Sequence, residues 1–428
     1  MFSVAEGLRS VIEKLFTKQI ALSKTTREVS SYDSRTLRKD ESSLLDHLLA
    51  PNFKRLCPSC IEEFYPGDCR VISQTTGEVL IQPPVEWIGK QLARRKPEAL
   101  TSSYYLDKQA RRECPNCGYL LPYNIELAEN VSIAIVGDVM SGKSHYVASV
   151  AHEIQERWMK ENRKFVQVTC LTPDVEDQFV CVFHDRMQIE PTQAARTAFH
   201  RPLIYELKLS KLSKQPARRL NLILYDGSGE DQTREERIKL YAKYILTANA
   251  IVFLVDPFLI PTITERIPWY RKPDRGTEED IYSRPSRVYE VLDTTIEVFK
   301  RFHGSKAKER LRSLPFALML SKSDLFKYMV PKAPSYRFLS NAVYRSSVDL
   351  QDAREIHKEV RSIIEDSRER TLLRLIQKFS KVNFFATSAT GCKVEDNGAF
   401  QFIDPCRCLD PILWIFHQLG IVQSFDEN

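Results

Sequence analysis

The chain has 428 residues, 43% of them hydrophobic, with 62 Lys and Arg against 56 Asp and Glu and a formal charge of +6. At roughly 150 residues per domain this is material for two to three domains with a sizeable core, which excludes a mostly disordered protein. The small basic excess is spread along the sequence and says little about nucleic acid. No run approaches the roughly 18–20 consecutive apolar residues of a membrane-spanning helix, and the N-terminus lacks a charged-then-apolar secretory pattern, so a cytoplasmic protein is expected. Ten cysteines in that compartment point to thiols and metal rather than to a disulfide framework.

Residues 1–50 are expected to be a helical segment. Val4, Leu8, Val11, Leu15 and Phe16 recur at helical spacing, and the stripe is expected to pack on the protein itself, with a membrane-surface or partner-binding helix as the alternative. Residues 51–128 are poor in apolar runs, are broken by Pro51, Pro66, Pro83, Pro84 and Pro97, and contain both C-x-x-C pairs. Cys57-Pro-Ser-Cys60 and Cys114-Pro-Asn-Cys117-Gly118 are the kind of knuckle that brings two thiolates to one ion from a tight turn, so the four cysteines are the candidate ligands of a structural Zn²⁺. The 53 residues between the knuckles exceed the roughly 15–20 of a compact ribbon, which requires a long looped-out insertion. Cys69 is a substitute ligand, and two redox dithiols are the competing reading. Arg94, Arg95, Lys96, Arg111 and Arg112 lie near these knuckles, so nucleic acid is one partner for this domain and a protein surface the other.

From residue 129 to 423 the pattern changes to short branched apolar runs alternating with amphipathic segments. Val131–Val136, Leu203–Leu209, Leu220–Tyr225, Ile251–Val255, Phe316–Leu320 and Val382–Phe385 are predicted strands of an α/β domain with a mainly parallel sheet. Ser210–Arg219 is too short for a helical crossover, so the second and third of these runs are expected to form an antiparallel edge hairpin. Pro257–Pro285, with five prolines, is read as a long loop, and Gln351–Phe379 as a solvated amphipathic helix.

Gly137-Asp138-Val139-Met140-Ser141-Gly142-Lys143-Ser144 fits G-x-x-x-x-G-K-[ST] between the first strand and a helix starting near His145. Such a loop aims backbone N–H groups, and the positive end of the following helix, at phosphate oxygens. Lys143 is the candidate for the β- and γ-phosphates and Ser144 for Mg²⁺; Asp138, Ser141 and His145 complete the expected nucleotide-binding loop. Asp226-Gly227-Ser228-Gly229 ends the third run, placing Asp226 to hold Mg²⁺ and the Gly229 N–H to reach the γ-phosphate.

Ser321-Lys322-Ser323-Asp324 follows the fifth run and resembles the [NT]-K-x-D motif of GTPases, whose carboxylate accepts two hydrogen bonds from guanine while the Lys stem covers the base. Thr387-Ser388-Ala389 follows the last run and resembles the S-A motif that reads the guanine carbonyl. With four motifs in order, each at the end of a predicted strand, residues 129–423 resemble a P-loop GTPase of the translation-factor-related class. The GDVMSGKSHYVA loop, Pro191-Thr192 ahead of RPLIYEL, the DGSGE turn and the long FLVDP-containing insertion make the chain most similar to the bacterial double-GTPase domain family. Members of that family often carry an N-terminal zinc ribbon and are assigned to multi-gene conflict and antiviral defence systems.

The resemblance implies GTP or GDP with Mg²⁺ as ligands and a hydrolysing switch as the activity, with an activator or effector protein of the same system as partner. Thr192 is the favoured switch threonine for Mg²⁺, and Thr197 the alternative. Glu230 stands where Ras-like enzymes carry a water-orienting Gln; a carboxylate accepts from water but cannot donate, so slow intrinsic hydrolysis is expected. Ser321 replaces the usual Asn or Thr and loses an amide that ties this loop to the phosphate loop, which predicts weaker guanine selectivity. Arg196, Arg201, Arg234 and Arg237 flank the expected switches as candidate phosphate contacts. Two other readings remain open: a non-hydrolysing nucleotide-binding interaction module with a zinc-ribbon docking domain, and a P-loop ATPase.

Overall fold

The computed structural model describes residues 55–80, 110–125, 128–138, 141–189, 201–211, 217–226, 243–271, 288–330 and 335–425. The helical segment expected over residues 1–50 and the looped-out part of the zinc-ribbon insertion lie outside these residues. The chain divides into two units, one of Met1–Asn130 with Pro216–Asn221 and one of Val131–Gln215 with Leu222–Asn428.

In the smaller unit β1 (Arg55–Leu56) pairs antiparallel with β2 (Glu63–Phe64), while β3 (Arg70–Ile72) lies between β4 (Val79–Leu80) and β5 (Arg111–Glu113). Its core is small: Cys57, Phe64, Cys69, Cys114, Leu121 and Ile125 form one buried cluster.

The second sheet has seven strands: β6 (Glu129–Gly137), β7 (Val166–Cys170), β8 (Leu203–Leu209), β9 (Arg218–Asp226), β10 (Ala250–Val255), β11 (Pro315–Leu320) and β12 (Lys381–Ala386). Their order is β12-β11-β10-β6-β9-β8-β7. β6, β10, β11 and β12 run parallel, and β10 and β11 are buried at every position, as continuous apolar runs covered on both faces require. An antiparallel pair does close one edge, and it is β7 with β8. β7 adds a strand that the sequence pattern does not announce: Val-Gln-Val-Thr-Cys is five residues long and alternates buried and exposed positions. The pair β8–β9 therefore lies one strand in from the edge.

Helix α1 (Lys143–Glu153) follows β6 and continues as a wider π-helical turn to Met159. Helix α2 (Pro173–His184) starts on a proline at its first turn, where a missing N–H costs nothing. The proline-rich stretch after β10 contains short helical turns at Pro257–Leu259, Pro261–Thr264 and Trp269–Arg271; residues 272–287 lie outside the description. Helix α3 (Val288–His303) precedes β11. The single helix expected over Gln351–Phe379 is two, α4 (Leu350–Asp366) and α5 (Arg370–Ile376), broken at Arg368, whose φ of 60° is left-handed. Helix α6 (Asp410–Gln418) closes the unit.

Candidate functional site

Strand register is what assembles the nucleotide site. Gly137 of β6 lies opposite Leu254 of β10, Val255 opposite Leu320 of β11, and Leu320 opposite Ala386 of β12. The loops beginning at 138, 256, 321 and 387 thus leave four parallel strands at one level, the carboxyl edge where open α/β sheets bind ligands. Lys143 and the S-K-x-D loop, distant in sequence, arrive at the same edge.

In the phosphate loop, Gly142 sits at φ +88° as the N-cap of α1, a left-handed conformation that a side chain would strain. Gly137 is required by contact: a Cβ there would lie 2.8 Å from Ser141 Oγ and 2.9 Å from the Leu254 carbonyl oxygen. Lys143 is 7% exposed, and its Nζ donates to the carbonyls of Gly137 (3.1 Å) and Asp138 (2.7 Å), so its ammonium is held within the loop. Ser141 Oγ is buried with no hydrogen-bond partner. An orphaned hydroxyl beside a captive ammonium and a helix N-terminus is a donor set matched to phosphate oxygens, so these residues fit a nucleotide.

His145 faces inward, against Phe400 edge-on at 5.6 Å, and its Nε2 accepts the Ile189 N–H at 3.4 Å. Burial, aided by the charge of Lys322, pushes its pKa down to about 4, so the ring is neutral near pH 7, as an acceptor nitrogen requires. Read from the sequence as a nucleotide-binding residue, His145 also makes a packing contact to the segment before Glu190. That segment is also strapped to the loop after β12: Gln188 N donates to Gly398 O (2.8 Å) and Phe400 N to Arg186 O (2.6 Å).

At the S-K-x-D loop, Asp324 is 8% exposed and accepts the Ser388 hydroxyl at 2.6 Å; Ser388 Oγ in turn accepts the Gly391 N–H at 3.0 Å. Ser323 N donates to Thr387 O, and Thr387 N to Leu320 O. The S-K-x-D and S-A loops are therefore one hydrogen-bonded unit. Ser149, a residue that carries no motif, joins it to α1: its Oγ donates to Ala389 O at 2.7 Å, fixing Ala389 beside the helix that begins at Lys143. Its only sequence signal is its position one turn beyond His145, whose carbonyl it also reaches at 2.9 Å.

The remaining site residues divide. Ser144 lies in the first turn of α1 and Asp226 ends β9, which is the neighbour of β6. Thr192, Thr197, Gly229 and Glu230, with Arg196, Arg234 and Arg237, lie outside the described residues. Arg201 is paired with Asp174 at the start of α2.

In the smaller unit the two knuckles are near copies. Cys57 N donates to Glu62 O and Ile61 N to Cys57 O, while Cys114 N donates to Tyr119 O and Gly118 N to Cys114 O. Ile61 and Gly118 take the same left-handed position, at φ 60° and 70°. The Sγ atoms of Cys57, Cys60, Cys114 and Cys117 lie within 4.8 Å of one another, with Cys57 to Cys117 at 3.8 Å and Cys60 to Cys114 at 3.9 Å. A tetrahedral Zn²⁺ with bonds of about 2.3 Å requires sulfur pairs about 3.8 Å apart, so the quartet fits that ion. Burial raises the Cys57 thiol and lifts Cys60 to about 11, making both poor thiolates without a cation. Cys69 is not in the quartet; its Sγ is directed to the Tyr65 carbonyl at 3.7 Å. Arg112, counted above among surface cations, is 5% exposed and donates to Pro66 O at 2.9 Å, so it stabilises the fold rather than a docking surface.

Sheet topology, the phosphate loop and the adjoining S-K-x-D and S-A loops together define a P-loop nucleotide-binding α/β protein of the GTPase type. The model of the family described as Double-GTPase 2 matches residues 131–397, and the chain belongs to that family. A protein of Mycolicibacterium smegmatis described as a putative ESX-1 scaffolding and assembly protein, SaeC, is 23% identical over 350 residues, covering 76% of this chain and 84% of its own. Among solved structures, the Trypanosoma brucei Arl6 BBS3 small GTPase with a bound nucleotide analogue is 11% identical, covers 68% of this chain and 98% of its own, and has a TM-score of 0.27. The Saccharomyces cerevisiae Ski7 GTPase-like domain bound to GTP is 16% identical, covers 70% and 52%, and has a TM-score of 0.29. Among the described residues no helix is long and apolar enough to cross a membrane.

Proposed function

We propose that this protein is a Mg²⁺-dependent GTP-binding and GTP-hydrolysing switch whose zinc-bearing unit docks protein partners. The observation that carries the reading is the common level at which Gly137, Val255, Leu320 and Ala386 end their strands, which brings the Lys143 loop and Asp324 to one edge. Lys143, Ser141 and the N–H groups of the loop hold the phosphates; Asp324 and Ala389 select guanine; Ser144, Asp226 and Thr192 hold Mg²⁺, which neutralises phosphate charge. Glu230, in place of the water-orienting Gln that follows D-x-x-G in Ras-like enzymes, makes intrinsic hydrolysis slow and leaves room for an activating partner. Four cysteines leave no open coordination position, so Zn²⁺ here is structural.

The relative's description as a scaffolding and assembly protein supports proteins as partners and the assembly of a multi-protein complex as the setting. A conflict or defence setting rests on the sequence resemblance alone. Equilibrium titration with GTP and ATP, with Lys143→Ala and Asp324→Ala alongside, tests the reading. GTP preference lost in the second variant and binding lost in the first are expected; equal binding of ATP, or binding indifferent to Lys143, would overturn it. Phosphate release in a single turnover, with and without partner proteins, separates hydrolysis from the non-hydrolysing module.

A further inference from the structure

The replacement at Ser321 raises a question of what steadies the base-reading loop. Among the described residues Ser321 bonds to β10 and not to the phosphate loop: its N–H donates to Val255 O at 3.0 Å and its hydroxyl to the same carbonyl at 3.3 Å. The loop is tied instead to the end of β10. The next residue on that strand end, Asp256, is 1% exposed and uses both carboxylate oxygens. Oδ1 accepts the Phe258 N–H at 3.0 Å, and Oδ2 accepts Lys322 Nζ at 2.7 Å. Lys322 has a left-handed backbone at φ 51°, and its ammonium also lies 5.2 Å from the centre of the Phe258 ring.

A lysine stem can cover a purine face only when its two ends are fixed. The left-handed backbone fixes one end of Lys322, and Asp256 with Phe258 fixes the other. A long, flexible ammonium in water would lose this geometry to rotamer entropy, whereas a pair with one partner buried retains it. We infer that Asp256 is a positioning residue for guanine binding, holding the Lys322 stem against the base in place of the tie that an amide at position 321 would supply. The inference rests on the reading of Lys322 and Asp324 as the guanine site, and it reverses the expectation that Ser321 weakens selectivity: the chain keeps its selectivity through a carboxylate on the neighbouring strand.

Calorimetric titration of the full-length protein with GTP–Mg²⁺, and with inorganic tripolyphosphate–Mg²⁺ as a probe without a base, tests it. Asp256→Asn keeps an oxygen for the Phe258 N–H and removes the charge; Asp256→Ala removes both. Both are expected to weaken GTP about tenfold while leaving tripolyphosphate unchanged, a split that a loss of folding would not produce. Lys322→Ala should cause a similar loss, and the double variant should be no worse than either single one. GTP affinity unchanged in Asp256→Asn, equal losses for both probes, or additive losses would overturn the inference. GTP binding that is unchanged in Asp324→Ala would instead overturn the underlying guanine reading, so the two failures are distinguishable.

Discussion

The nucleotide edge and the cysteine quartet bring distant residues together by opposite means. At the nucleotide edge, four parallel strands, two of them buried at every position, set the level of the loops, and hydrogen bonds such as Ser388–Asp324 and Ser149–Ala389 adjust them. In the quartet, strands of two or three residues and a six-residue core hold the knuckles Cys57–Cys60 and Cys114–Cys117. A core that small cannot offset chain entropy unaided, so there the ion would act as the core, whereas in the other unit a ligand meets a site already built.

Removing metal gives the sharpest contrast. Chelation is expected to unfold residues 55–80 and 110–125, since structural Zn²⁺ supplies about 10–16 kcal/mol in small zinc modules, and hydrogen exchange should show protection lost there and kept in β10 and β11. If the cysteine segment stayed protected, the comparison would fail. Next, Lys143→Ala should weaken GTP about 100-fold or more, because it removes a charged donor from the loop, and lower the melting temperature as well, because the Gly137 and Asp138 carbonyls lose that donor. Gly137→Ala places a Cβ against the Leu254 carbonyl, and overpacking of this kind costs about 1–3 kcal/mol; thermal unfolding together with a parallel loss of nucleotide affinity would register it. Ser149→Ala, which frees Ala389 from α1, should cost about 1 kcal/mol and reduce the preference for GTP over ATP several-fold without affecting tripolyphosphate.

The remaining effect is the pH response of His145. Its pKa is about 4 in the folded chain against an ordinary value of 6.5, so the unfolded chain binds the extra proton between these values and stability rises with pH across that window. Wild-type protein should therefore lose stability relative to His145→Gln as pH falls from 6.5 towards 4. Melting curves for the two proteins that stay parallel over this range would show that the ring is not buried as described.

The motifs were legible because each is a contiguous string with a backbone requirement: glycine where φ is positive or a Cβ would collide, as at Gly142 and Gly137, and paired cysteines in a tight turn. Six strands were legible as apolar runs. β7 was not, because an edge strand needs to bury only one face, and Val-Gln-Val-Thr-Cys offers too few apolar positions to stand out. The break between α4 and α5 was hidden for a similar reason, since Arg368 adopts a left-handed turn with no glycine to mark it. Ser149 and Asp256 escaped because each acts on a residue far along the chain.

By itself the sequence determined the local elements available to this protein: a glycine-bearing loop of the phosphate-binding type, a carboxylate in an S-K-x-D motif, four thiols and the strands that carry them. Those are local properties, set by residue type and spacing. Tertiary structure alone decided that Asp324 leans on Ser388, that Ser149 anchors Ala389, that Asp256 holds Lys322 and that the two knuckles share one centre. Such partners are chosen by strand register and by packing, which depend on the whole sheet or the whole small core and are written in no single stretch of chain.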